Sequence, residues 1–441
     1  MTDLAIELSA LDQTRGLAGL KVLLRDTALT RLVRPDSDTE DTELRIPPGP
    51  LGGWFAENWW RLRWECRPPT GFTSEWREAH DMAAIGAGYA WPSVAFWGEG
   101  QRITIFAKAD PPGVMGPVRF LQSALAFIPA ASFESAVDSL FDAVGTMLDG
   151  EDIAAFRALI NALHDERNDV EISAWRRLEA INGFDPDDAP EELISSLLRL
   201  SERFSANDVE EAAAAYPGIG SAETLTKLVD DVSTKRFTSV NFDDAINRVG
   251  RIVPGDPREP WHMAEIAASR LRGGLGAGAL LNRRFADLIA VDPNVFRSSS
   301  ATGRVLPYGI RLSGSPTDQR VLLRARWSQD RRFELMRALG DAIWSYVSPL
   351  GPISRAGTAR QKFQRAFAAT MLCPLEELAD YLGCVDPSDE DIAAAARHFH
   401  VSERVVRSVL VNKHLMDRNR LEIPEIVAPA GTPIEEIADA A

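Results

Sequence analysis

The residue types that could do chemistry fall in two stretches, 331–344 (RRFELMRALGDAIW) and 361–374 (QKFQRAFAATMLCP). Metal-assisted hydrolysis from a helix calls for His-Glu-x-x-His: two histidines four apart share one helical face, and the glutamate between them acts as general base on metal-bound water. The five positions in the first stretch read Arg337, Ala338, Leu339, Gly340 and Asp341. Arginine has no lone pair to give a metal and alanine is no base, so this set does not hold zinc in the usual way. Glu334, Asp341, Glu376 and Glu377 remain as oxygen donors. Carboxylates alone suit harder cations and are ordinarily solvated helix faces. Arg337 lies one turn from Asp341, which predicts an i,i+4 ion pair.

Such positions need a frame. Segments 260–278, 282–291, 305–314, 319–328 and 331–344, with the small-aromatic-small run AFAATMLCP at 366–374, resemble in this order the core of the ImmA/IrrE family of bacterial regulatory metallopeptidases. The resemblance implies a helix over 260–278 and a short helix–turn over 282–291, then an antiparallel strand pair over 305–314 and 319–328. It further implies the motif helix over 331–344 and a second helix ending at 374. The resemblance covers the carboxy-terminal half only and implies a zincin-like core with a small antiparallel sheet. Carried over position by position, Arg337 stands at the first zinc histidine, Ala338 at the glutamate base, Asp341 at the second histidine and Gln361 at the third ligand. The resemblance therefore implies a fold, while the altered positions imply a pseudopeptidase with no catalytic residues and no zinc.

Composition sets the outer bounds. The 441 residues carry a formal net charge of −16 and 45% hydrophobic residues. An acidic surface repels phosphate, so any DNA contact must be local. No apolar run is long enough to span a bilayer, and the start MTDLAIELSALDQTRG lacks a basic-then-apolar export pattern. Cys66, Cys373 and Cys384 are too few and scattered for a disulfide framework. A cytoplasmic protein without membrane contact is expected.

The fold class expected is α+β, mainly helical. A tryptophan-rich α+β module occupies 1–125, an acidic helical middle region 126–250, the peptidase-like domain 255–420, and a flexible tail 421–441. A strand is expected within 19–33 and another within 101–110. Trp54, Trp59, Trp60, Trp64, Trp76, Trp91 and Trp97 crowd the first module. On one reading Trp60 and Trp64, four apart on a helix, form a core against strands at 94–97 and 103–106. On another, Trp54, Trp59, Trp60 and Trp64 line an aromatic groove, with arginines interleaved for an acidic ligand. His80 reads as a helix-end residue.

Residues 388–416 have the pattern of a helix-turn-helix. Ser388 or Asp389 caps the first helix, and Ser402 caps a second one carrying Val405, Val406, Val409 and Leu410 inward. In a DNA-reading or partner-reading version Arg404, Arg407, Asn412 and Lys413 would be on or near the exposed face. Glu403 at the front would meet phosphate unfavourably. The expectation for function is a non-catalytic regulatory or scaffold protein that binds a partner protein. A metallopeptidase with a shifted metal site and a DNA-binding regulator acting through 388–416 stay open beside it.

Overall fold

The computed structural model describes residues 2–421, apart from 13–15, 35–38, 69–70, 114–115, 235–236, 251, 253–258, 298–305, 316–317 and 384–385. The chain forms two compact units, residues 1–194 and 195–441. The class is α+β and mainly helical, with small antiparallel sheets.

The first unit opens with strands β1 (Leu4–Asp12), β2 (Leu17–Leu24), β3 (Thr27–Ala28), β4 (Leu32–Arg34), β5 (Thr39–Asp41) and β6 (Leu44–Ile46). Helices α1 (Pro48–Glu57), α2 (Trp59–Trp64) and α3 (Ser74–His80) follow. Strands β7 (Val94–Gly98), β8 (Arg102–Ala107), β9 (Arg119–Phe120) and β10 (Ala124–Pro129) precede helices α4 (Ala130–Met147), α5 (Gly150–Asn168) and α6 (Val170–Ile181). Helix α7 (Glu191–Arg203) spans the division between the units.

The single strand expected within 19–33 is broken in three. Arg25 adopts a left-handed φ of 52°, so the chain reverses after β2. Strand β1, which no motif announced, pairs antiparallel with β2, placing Leu4 opposite Leu24 and Ile6 opposite Val22 on one buried face. Strand β7 is buried on both sides. Its alternation sends Val94 and Phe96 into the main core, and Ala95 and Trp97 into a second cluster with Trp76. Helix α4 joins the main core through Phe133, Val137, Leu140 and Val144. The helices of 126–250 thus do not form a body of their own: α4, α5 and α6 belong to the first unit, and those after 204 to the second.

The second unit contains α8 (Ala206–Ala215), α9 (Ser221–Thr234), β11 (Thr238–Val240), α10 (Asp243–Val249), α11 (Pro260–Arg272) and α12 (Asn282–Leu288). It continues with β12 (Gly309–Ser315), β13 (Asp318–Leu322), α13 (Ser328–Trp344), β14 (Leu350–Ile353) and α14 (Ala359–Leu372). Helices α15 (Leu375–Leu382), α16 (Asp389–Phe399) and α17 (Glu403–Asn412) complete it. The sheet runs β11-β13-β12-β14, antiparallel throughout, with the expected strand pair at its centre. One apolar core joins α10 to α14 and continues under α16 and α17 through Ile392, Phe399, Val406 and Leu410.

The helix pair at 388–416 forms as expected. Ser388 caps α16 in a reciprocal capping box with Asp391, and His400 takes the left-handed turn at φ 54°. Ser402 occupies the cap position of α17 without a hydroxyl cap bond, a departure from expectation. Residues 422–441, read as a tail, and Cys384 lie outside the described residues. Cys373 is a buried free thiol. Among the described residues no helix is long and apolar enough to cross a membrane.

Candidate functional site

The candidate site lies in the second unit, where α13 and α14 pack side by side over strands β12 and β14. Residues Glu334, Arg337 and Asp341 occupy one stripe of α13, three and four apart, and all are at least nine-tenths buried. A polar stripe can be buried there because two glycines leave space on the sheet. A Cβ on Gly309 would stand 2.1 Å from Glu334 Oε1, and one on Gly351 would stand 1.8 Å from Asp341 Oδ2.

Arg337 donates through Nη2 to the Ser354 carbonyl at 2.5 Å, to Gln361 Oε1 at 2.7 Å and to Gln364 Oε1 at 3.1 Å. The positions carried over as first and third zinc ligand therefore meet. Gln361 Oε1 also accepts from Ser354 N–H at 2.9 Å, while its Nε2 donates to Glu211 at 2.9 Å and to the Pro352 carbonyl at 2.8 Å. Burial, with repulsion from Arg365, pushes the Arg337 guanidinium down to about 9. Ala338 is fully buried among apolar side chains and presents no base.

Asp341 corrects the helical ion pair expected with Arg337. Its partners come from across the fold: Arg311 Nε on β12 at 2.9 Å, Arg360 Nε and Nη2 on α14 at 2.6 and 3.0 Å, and Gln364 Nε2 at 2.7 Å. Arg337 reaches past this carboxylate to α14 and the loop after β14, where neutral oxygens take it. Burial alone would push the Asp341 carboxyl up, but Arg360 and Arg311 hold it below the usual carboxylate range. Arg360 also binds Asp208 Oδ1 at 2.8 Å, and Ser348 donates to the same oxygen. Glu211, on the same helix as Asp208, accepts from Thr358 Oγ1 at 2.6 Å, and its carboxyl is raised by burial despite Arg360.

The arrangement is a buried network of arginine, amide and carboxylate side chains. It can fix the relative positions of α8, α13, α14 and β14. Its hydroxyls and carboxylates bond to one another and to the arginines: Ser348 to Asp208, Thr358 to Glu211, and Asp208 and Asp341 to Arg360. Among the described residues no group of three or more His, Cys, Asp or Glu side chains is placed to hold a metal ion. Arg311, Arg360, Gln364, Asp208 and Glu211 escaped the reading of the sequence. Two signals pointed to Arg311 and Gln364, a lone arginine in an apolar strand and Gln361 with Gln364 at helical spacing among phenylalanines, and none pointed to Arg360, Asp208 or Glu211.

The other candidates are elsewhere. Trp54, Trp59 and Trp60 lie in the core of the first unit, not along a groove, with Trp54 Nε1 donating to the Glu78 carbonyl and Trp60 Nε1 to Glu166. Trp64 is half-buried under Arg63, whose guanidinium stands 3.9 Å from the ring centre. Large indoles on α1 and α2 remove more apolar surface from water when packed against β7 than when lining a cleft. A cleft of about 300 Å³ in this unit is lined by Asn58, Arg61, Glu75, Glu78 and Asp185 among others. His80, at the end of α3, is fully buried, stacked on Trp76, and bonded to the Phe96 carbonyl at 2.7 Å and to Glu65 at 3.0 Å.

On α17, Arg404 and Asn412 are exposed. Arg407, expected near the exposed face, is buried and paired with Asp389 and Glu403. Lys413 is bound to Glu265 at 2.6 Å. Two of the four residues named for DNA or partner contact are thus occupied in holding α17 to its own unit. No family model, no curated protein and no solved structure matches this chain.

Proposed function

We propose that this chain is a non-catalytic regulatory or scaffold protein of ImmA/IrrE-like, zincin-like descent, which binds a partner protein without cleaving it. One observation carries the reading: Arg337 bonds Gln361, so the two positions carried over as zinc ligands converge as such ligands would, yet they are filled by a guanidinium and an amide. The order of helix, antiparallel pair, motif helix and second helix supports the same descent. A site of this kind has exchanged hydrolysis for a fixed surface. The exposed Tyr346–Val347 tip is joined to the network through Ser348 and is the place we assign to a protein partner.

The test joins two measurements on the purified full chain. Metal content by mass spectrometry is expected at trace level, with no chelator-sensitive proteolysis. A cross-linked partner is expected to be released by Val347→Asp, a change at a fully exposed side chain that leaves the melting temperature unchanged. About one zinc per chain with chelator-sensitive cleavage would overturn the reading.

A further inference from the structure

Of the six histidines, five are exposed and His80 is fully buried. It ends α3 in the first unit, stacked on Trp76 with 4.1 Å between ring centres and 11° between planes. Both ring nitrogens are engaged, and both partners are acceptors. Nδ1 stands 2.7 Å from the Phe96 carbonyl on β7, an oxygen with no proton to give. Nε2 stands 3.0 Å from Glu65 Oε2. That same oxygen accepts from Arg61 Nε at 2.6 Å. Burial alone would raise the Glu65 carboxyl, but His80 and Arg61 hold it below the usual carboxylate range. Glu65 is therefore a carboxylate, and it too has no proton to give. Each nitrogen has to donate, so the ring carries two protons.

The charges around the ring support this state. Glu65 and Arg61 face it from the α2 side, and Arg61 shares its charge with Asp185 Oδ1 at 3.2 Å. On its own side Arg77 is paired with Asp81 at 4.0 Å, and β7 carries no titratable side chain. Two cations, His80 and Arg61, thus meet two carboxylates, Glu65 and Asp185, and the Trp76 face adds attraction for a cation. The bonds run as a chain from β7 to the surface: Phe96 carbonyl, His80, Glu65, Arg61, Asp185. Arg61 and Asp185 line the cleft of about 300 Å³. So does Gly183, where an added Cβ would stand 3.6 Å from Glu65 Oε1.

Loss of one proton breaks this chain in the middle. Whichever nitrogen keeps its proton, the other turns a lone pair on an oxygen at 3.0 Å or less, so the tie to β7 or the tie to α2 is lost. We infer that His80 is a pH-operated latch: doubly protonated, it ties α3 to β7 and, through Glu65 and Arg61, to the wall of the cleft, and it releases one tie when rising pH removes a proton.

The experiment is histidine-selective nitrogen-15 labelling of the full chain, with long-range proton–nitrogen correlation from about pH 5 to about pH 9. At the acid end one ring is expected to show two N–H protons that resist exchange. Raising the pH should convert that ring to a single tautomer, and amide exchange in α2 and α3, corrected for its intrinsic pH dependence, should quicken about tenfold. Glu65→Gln supplies an amide that can donate to Nε2, so its ring should hold one N–H across the whole range and the step in exchange should vanish. A protected ring with a single N–H at the acid end, or a step in exchange that survives Glu65→Gln, would overturn the inference. The spectrum of the unaltered chain decides the protonation state by itself, so the inference can fail even where the variant does not fold. None of these results depends on the metal content or partner release that tests the reading above.

Discussion

At the scale of single residues, Asp341 is the centre of the buried network. It compensates two arginines that have no other full negative charge as close. Asp341→Ala is expected to cost about 3–5 kcal/mol, because truncating one member of a buried ion cluster strands the others. Urea denaturation followed by circular dichroism measures it, and a loss below about 1 kcal/mol would show the cluster to be solvated. Arg337→Met is a milder change. It removes a charge bound by neutral oxygens, so the penalty is that of leaving Gln361 and Gln364 short of a donor, about 1–3 kcal/mol by the same measurement. Arg337 was legible as an altered ligand position, but its partners were not. Helical spacing pointed to Asp341, whereas the guanidinium reaches α14, a contact that depends on how two distant helices pack.

At the scale of elements, α14 and β14 position the site. Thr358 caps α14 by accepting from Gln361 N–H at 3.1 Å while donating to Glu211, so one hydroxyl both starts the helix and orders Gln361. Thr358→Ala should cost about 1–2 kcal/mol in chemical denaturation. Gly351→Ala should cost about 1–3 kcal/mol or prevent folding, since the added methyl falls on the Asp341 carboxylate and against Arg311 Nε. A melting temperature equal to that of the parent protein would show that α13 can shift. The elements themselves were well marked by pattern. Apolar residues at three- and four-residue spacing located α4 and α5, the resemblance placed α13 and α14, and the caps and turn marked the α16–α17 pair. Strand β1 was missed because its pairing with β2, not any local turn signal, defines it. The strand expected at 19–33 was drawn too long because the reversal at Arg25 uses an arginine in a conformation that usually marks glycine or asparagine.

At the scale of the whole molecule, the buried carboxyls set opposing pH dependences. Glu211 and Glu334 are raised chiefly by burial. The folded chain thus takes up these protons before the unfolded chain does, and stability rises as pH falls through their folded values toward about 4.3. Asp341 and Glu65 lie below their ordinary values: burial alone would raise both, but Arg360 and Arg311 offset it for the first, and His80 and Arg61 for the second. Their contribution is full above about pH 4 and is lost as pH falls through the depressed folded values. Unfolding free energy measured from pH 3 to 8 is therefore expected to peak near about pH 4–5 and fall on the acid side. A monotonic rise to neutral pH would show that Glu211 and Glu334 are ionised at no cost.

What the sequence determined by itself was the class, the helices and the chemical poverty of positions 337, 338 and 341, because those follow from side-chain type and from apolar periodicity along a single element. Tertiary structure alone decided three further things. It divided the helical middle between two units, turned the tryptophans of α1 and α2 into core, and joined Arg311, Arg337, Asp341, Arg360 and Gln361 into one network. Each depends on which faces of distant elements meet, and a charged side chain at a buried face takes whatever partner the packing brings within hydrogen-bond reach.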